Sequence, residues 1–202
     1  MLTLYHSPIS RSTRVLTLIE ELGITDEVTI KAVSIRRFDG SGTRDPANPH
    51  PDGKVPLLDH DGTLISETPA IFLYLTALFP DSGLAPKPGD PRRGDYLTWL
   101  FYYSAVVEPV LICASAGVDH PMFTATWRGP AELAARLHAA LAKGPWLLGD
   151  HYSAADLLMH SPFAWFPEAT PDDPLIRDWV ARCQARPATA VAKARDQALL
   201  AA

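Results

Sequence analysis

The sequence predicts two parts, an α/β domain over residues 1–79 and an all-helical domain over 90–202, joined by a linker at 80–89. Three observations predict this. Residues 1–79 place strand-like and helical runs in the order β-α-β and then β-β-α. The stretch Pro80 to Pro91 (PDSGLAPKPGDP) holds four prolines and two glycines, the make-up of an interdomain connection. Beyond it, every apolar pattern has the helical period. Apolar residues are 47% and charged residues 20%, which supports a core of ordinary size.

Leu2 to Tyr5 reads as a short strand stopped by Pro8 in His6-Ser7-Pro8-Ile9-Ser10. A helix follows, with Val15, Leu18, Ile19 and Leu22 on one face and Gly23 at its C-terminal end. Val28 to Val33 is the next strand, at a spacing that suits a parallel pair. Residues 36–53 (RRFDGSGTRDPANPHPDG) are polar and rich in Gly and Pro, and predict a mobile loop over one edge of the sheet. Val55-Pro56-Leu57-Leu58 is a strand carrying a proline, which calls for an edge position or a cis bond. Asp61-Gly62 is a hairpin turn and Thr63-Leu64-Ile65 the returning strand. Ser66 is the expected cap of the next helix, with Glu67 in its first turn and Pro69 early in it. Ile71, Phe72, Leu75, Leu78 and Phe79 form its packing face.

In the second half, Arg92 to about Gly117 reads as one long helix kinked at Pro109. Residues 118–129 read as irregular. Pro130 to Leu141 is amphipathic through Leu133, Leu137 and Leu141, and ends at Gly144-Pro145. Ser153 and Asp156 make a capping box, with Asp in place of Glu, ahead of the helix Leu157 to Trp165. Helices near Pro174–Ala185 and Pro187–Leu200 complete the chain.

The ordered set KVPLL, a short turn and SETPAIFLYL resembles the glutathione-binding half of the thioredoxin-like domain in cytosolic glutathione transferases. Trp146-Leu-Leu-Gly-Asp-His-Tyr-Ser-Ala-Ala-Asp156 resembles the capping motif of their helical domain, so the resemblance covers nearly the whole chain. It implies the glutathione transferase fold, of the bacterial type with a serine active site. It further implies that Pro56 is cis, that the backbone of Val55 pairs with the cysteinyl part of glutathione, and that Glu67 and Thr68 hold the γ-glutamyl end. Lys54 is a candidate partner of the glycyl carboxylate, with His50 behind it. A homodimer is implied as well.

A transferase of this kind must stabilise a thiolate, because the free thiol has a pKa of about 8.5 and only the thiolate is a good nucleophile. A hydroxyl at a helix N-terminus serves that end. Ser10 stands where serine-type members carry theirs; Ser7 and Ser12 are the alternatives, with Arg11 as a charged partner of thiolate or carboxylate. Read without the resemblance, Ser10 is a helix cap, Arg11 a solvated first-turn residue, and Tyr5 a strand aromatic. Ser153 and Asp156 read as structural. Trp99, Tyr102, Tyr103, Val106 and Glu108 are candidate lining for a small hydrophobic electrophile, and their spacing equally describes a core stripe.

A net charge of −5 argues against a nucleic-acid partner. The two cysteines, Cys113 and Cys183, have no zinc or redox spacing, and the seven histidines show no metal-binding spacing, so no metal is expected. With no long apolar run or signal-like start in view, no membrane partner is expected and the expected location is the cytoplasm. The function implied by the resemblance is conjugation of glutathione, as co-substrate, to an electrophile. A glutathione-dependent disulfide reductase or peroxidase, and a non-catalytic binding protein, are the alternatives.

Overall fold

Strands β1 (Leu2–His6), β2 (Val28–Ala32), β3 (Leu57–His60) and β4 (Thr63–Ser66) form one mixed sheet in the computed structural model, which describes residues 1–201. Their order is β2-β1-β3-β4, with β1 parallel to β2 and antiparallel to β3. Helix α1 (Thr13–Leu22) makes the crossover that a parallel pair requires. Its C-terminus closes as predicted: Gly23 has φ 70°, and the Ile24 N–H reaches the Ile19 carbonyl. The β3–β4 hairpin turns on Asp61 and Gly62, both at positive φ, as its two-residue loop demands. The Val55–Pro56 bond is cis.

Helix α2 (Thr68–Leu78) buries Ile71, Phe72 and Leu75 completely, whereas Leu78, predicted on the same face, is exposed. Phe79 already leaves the helix as its C-cap, so the last turn lifts away from the core. Ser66 does not cap α2. It is the last residue of β4, paired with Leu57, and Glu67 occupies the cap position in the left-handed region, at φ 69°. The predicted mobile loop is tied down. Asp45 accepts from the Ser34 N–H, the Asn48 amide donates to the Lys54 carbonyl, and Asn48 and His50 are buried.

The chain divides into two compact units, Met1–Ser82 with the chain from Arg186 onward, and Gly83–Ala185. Sequence order places the last helix, α9 (Pro187–Ala201), in the helical half; in space it packs on α1. Two ion pairs fix that contact. Arg186 donates twice to Glu21, at 2.5 and 2.7 Å, and Arg195 pairs with Glu20 at 2.9 Å. Ala192 and Asp196, four residues apart, are the buried positions of α9.

The helical unit holds α3 (Arg93–Tyr102), α4 (Glu108–Ser115), α5 (Pro121–Trp127), α6 (Pro130–Leu141), α7 (Ala154–Trp165) and α8 (Pro174–Gln184). The predicted kink at Pro109 takes the form of a π-turn over Tyr103–Val107, in which the Glu108 N–H reaches the Tyr103 carbonyl. Pro109 has no N–H and its ring crowds the carbonyl four residues back, so the helix changes register just ahead of it. Helix α5 replaces the predicted irregular stretch: Pro121 takes the first helical position, and His120 Nδ1 accepts from the Met122 N–H. Taken together, Arg93–Ser115 is 23 residues long and, by length and composition alone, apolar enough to cross a membrane, contrary to the expectation of no such run. Its buried side chains, Tyr96, Trp99, Leu100, Tyr103, Val107 and Val110, recur three or four residues apart, the mark of a helix with one packed face.

Helix α7 is almost wholly buried although Pro162 lies inside it. Proline leaves the Leu158 carbonyl without its helical donor, and the Ser161 hydroxyl supplies one at 2.7 Å. Ahead of α7, Gly144 lies so close to Gly149 that a Cβ there would meet its backbone at 2.8 Å.

Candidate active site

Strand pairing brings the predicted residues of the first unit to one end of the sheet. Tyr5 pairs with Leu57, and Leu57 with Ser66. The C-terminal end of β1, the start of β3 and the end of β4 therefore coincide. The His6–Ser12 turn, the cis Val55–Pro56 bond and the Glu67–Thr68 start of α2 all leave the sheet there.

The turn is held by a network of short contacts. His6 is in phase with Leu2 and Leu4 on β1 and is fully buried. Its Nε2 is 2.8 Å from Asp196 Oδ1, and its Nδ1 is 2.8 Å from Ser12 Oγ. Ser12 Oγ lies 2.8 Å from Ser10 Oγ and accepts from the Ser7 N–H at 3.2 Å. The second Asp196 oxygen accepts from the Ile9 N–H at 2.8 Å and the Thr13 hydroxyl at 2.6 Å. Arg37 closes the other side, donating to the Pro8 and Ile9 carbonyls and to Ser7 Oγ. Ile9 sits at φ 51°, which a β-branched residue adopts only when its surroundings hold it there, as Asp196 and Arg37 do.

Burial favours the neutral form of Asp196. Hydrogen bonds from His6, Thr13 and the Ile9 N–H outweigh it and hold the carboxyl below the usual carboxylate range. A lowered native pKa means that this contribution to stability is complete above the unfolded value of about 3.9 and fades as pH falls through the native one.

The predicted serines differ in reach. Ser12 is fully buried and Ser7 nearly so, while Ser10 is half-buried. Ser10 stands three residues before α1 rather than directly at its start. Its Oγ accepts from the Ser12 N–H at 3.2 Å, as a cap would, and points its hydrogen at the Ser7 carbonyl, 2.6 Å away, or at Ser12 Oγ. Arg11 is exposed. Glu67 is exposed, Thr68 buried, and the positive end of the α2 dipole lies at both. Val55 and Pro56 are buried and Lys54 is exposed; His50 uses Nδ1 to accept from the Asp52 N–H, which ties it to its own turn.

In the helical unit, Trp99 and Tyr103 are buried, and Tyr102 and Val106 are half-buried. The Arg136 guanidinium covers the Tyr102 ring at 3.9 Å and lies 5.3 Å from that of Trp99. Of the five residues expected to meet an electrophile, Tyr102, Val106 and Glu108 keep some exposure. Asp156 is fully buried and accepts from Ser153, the Leu147 N–H and Trp179 Nε1. Among the described residues, no three His, Cys, Asp or Glu side chains cluster as a metal site.

His6, Arg37 and Asp196 were missed by sequence reasoning. A signal existed for His6: strand alternation aligns it with Leu2 and Leu4, and a buried imidazole needs partners. Asp196 had none, because its contacts span 183 to 190 residues of sequence.

Residues 4–83 match the family described as glutathione S-transferase, N-terminal domain. Over 51 residues the chain is 41% identical to Protein LigF of Sphingobium sp. (strain NBRC 103272 / SYK-6), a match that spans 25% of this chain and a fifth of the length of that relative. Among solved structures, a glutathione transferase from Methylococcus capsulatus str. Bath superposes with TM-score 0.77 at 26% identity, covering 98% of this chain and 99% of its own. A sphingomonad glutathione S-transferase complexed with glutathione gives 0.76 at 26% identity, over 96% and 98%. The theta class enzyme of Xanthomonas axonopodis pv. citri, with glutathione bound, gives 0.73 at 27%, over 95% and 96%. This chain therefore has the glutathione transferase fold, with a first domain that matches the glutathione S-transferase N-terminal family, and together these likenesses support the glutathione transferase family for it.

Proposed function

We propose that the protein conjugates reduced glutathione to a small hydrophobic electrophile. The observation that carries this reading is the meeting, at one end of the sheet, of a half-buried serine hydroxyl, a cis-proline strand start and a helix N-terminus bearing Glu67 and Thr68. Each answers to one part of the tripeptide. The backbone of Val55 pairs with the cysteinyl residue and Lys54 with the glycyl carboxylate. Glu67 takes the γ-glutamyl ammonium, Thr68 and the α2 dipole take its carboxylate, and Ser10 faces the sulfur. Orientation and thiolate stabilisation are the catalytic contribution. Glutathione bound in the sphingomonad and Xanthomonas relatives supports the ligand, and the proposal extends to a homodimer in the cytoplasm.

Calorimetric titration with reduced glutathione tests the reading. Wild type is expected to bind. Glu67→Ala, which deletes a charged hydrogen-bond partner worth about 1.5–3 kcal/mol, is expected to weaken binding roughly ten- to a hundredfold. Glu67→Gly should weaken it equally while raising stability by about 1 kcal/mol, because glycine accepts φ 69° without strain. Wild-type protein that takes up no glutathione would remove the enzyme reading.

A further inference from the structure

The buried chain of contacts behind Ser10 connects an accessible hydroxyl to a carboxylate on the last helix. Its contacts admit one arrangement in which each hydrogen of the chain points inward, toward Asp196. Asp196 already receives the Ile9 N–H and the Thr13 hydroxyl on Oδ2, and in that arrangement its Oδ1 takes the Nε2–H of His6. The other ring nitrogen, Nδ1, is then a lone pair, and the Ser12 hydroxyl donates to it. With its hydrogen committed, Ser12 Oγ accepts, from the Ser7 N–H and from Ser10. Ser10 has its one hydrogen turned inward, one lone pair engaged by the Ser12 N–H, and one lone pair left. The side chain that must stabilise a thiolate thus rests as an acceptor toward its ligand, the polarity suited to a thiol and not to a thiolate.

Resting on the transferase reading, we propose that Ser12, His6 and Asp196 form a proton relay that receives the thiol proton of glutathione from Ser10 and, in doing so, turns the Ser10 hydroxyl toward the sulfur. The steps balance. The S–H bond breaks as the thiol proton joins Ser10 Oγ. The former Ser10 hydrogen passes to Ser12 Oγ, and the former Ser12 hydrogen to His6 Nδ1. A neutral thiol and a neutral imidazole become a thiolate and an imidazolium, and no proton leaves the protein. Afterwards every donor points outward: His6 to Ser12, Ser12 to Ser10, Ser10 to sulfur. Three contacts of 2.8 Å cover the whole path from Ser10 Oγ to Asp196. The carboxylate compensates the charge left on His6, which is fully buried. Ser12, His6 and Asp196 are positioning residues in this scheme, since Ser10 alone meets the ligand. A C-terminal helix that bears on the first domain through Asp196 thereby becomes part of the thiol site.

The test counts protons. Glutathione is titrated calorimetrically into wild-type protein near neutral pH, in two buffers of different ionisation enthalpy. Thiolate formation is followed in parallel by its ultraviolet absorbance. The relay predicts that thiolate appears while the heat is the same in both buffers. Thiolate accompanied by release of one proton for each one formed would overturn the relay and leave the transferase reading intact. Absence of glutathione binding would remove both. Asp196→Asn is expected to abolish the thiolate signal and lower kcat about a hundredfold, with KM for glutathione near wild type. Ser12→Ala, which leaves the docking of α9 untouched, is expected to do the same and stands in should the Asp196 variant fail to fold. A thiolate signal of wild-type size in Ser12→Ala would overturn the proposal.

Discussion

Replacing Asp156 by alanine is expected to lower stability by about 3–5 kcal/mol, a large share of the roughly 5–15 kcal/mol that keeps a domain folded. The carboxylate is fully buried and serves three separate segments of the helical unit. Oδ2 accepts from the Ser153 N–H and hydroxyl, both at 3.0 Å, which closes the capping box of α7. Oδ1 accepts from the Leu147 N–H at 2.9 Å and from Trp179 Nε1 on α8 at 3.0 Å. Alanine would strand each of these donors without water, and a buried unsatisfied donor costs about 1–3 kcal/mol. Asp156→Asn is the milder change, because one oxygen remains to accept. The pair also differs in pH response. Burial pushes the Asp156 carboxyl up, against hydrogen bonds that favour its charge, so the native state keeps this proton where the unfolded chain has lost it. Stability contributed by Asp156 therefore declines as pH rises from the unfolded value toward the native one, and Asn removes that decline. Denaturant melts of both variants across acid pH check the sizes and the slope; an alanine variant within about 1 kcal/mol of wild type would refute the account.

Asp156 also shows what kind of information the sequence carries. The Ser153–Asp156 box, the Asp61-Gly62 turn, the Gly23 terminus and the proline opening β3 are signals a few residues long, and each led to the element found. The proline at 109 told of a kink, though not that a π-turn would absorb it. What stayed hidden depends on contacts distant in sequence. Nothing near Ser66 reveals that β4 would claim it for pairing with Leu57 and force Glu67 into the left-handed region as the cap. Nothing near Pro187 reveals that α9 returns to α1, because its guides are single charges, Arg186 just ahead of the helix for Glu21 and Arg195 on it for Glu20, in an alanine-rich stretch. The site divides the same way. The residues proposed on the hairpin and on α2 stand beside the short local signals that singled them out, whereas the groups behind Ser10 depend on a carboxylate 183 residues or more away.

Ser10→Ala is expected to reduce kcat about 10²- to 10³-fold while leaving the affinity for glutathione near its wild-type value. At neutral pH a thiol of pKa about 8.5 is only a few per cent ionised, so the rate depends on a donor that favours the thiolate over the thiol. Ser10 is the half-buried one of the three serines; Ser12 is sealed behind it, and Ser7 Oγ faces the Arg37 guanidinium. Affinity should survive, because the charged ends of the tripeptide are held at Glu67, Thr68 and Lys54, away from the substitution. The stability cost should be small, about 1 kcal/mol, since the Ser12 N–H, the Ser12 hydroxyl and the Ser7 carbonyl each lose one local partner and keep others in the turn. Steady-state kinetics with a chromogenic aryl halide, beside calorimetry on the same variant, separates the readings. A fall in kcat with intact binding identifies the hydroxyl as a transition-state donor. Equal loss of kcat and affinity would make Ser10 a binding residue, and unchanged turnover would transfer its role to Ser7 or Arg11. A protein that binds glutathione but turns over no electrophile before or after the change is a binding module on a transferase fold, because there the hydroxyl has no thiolate to select.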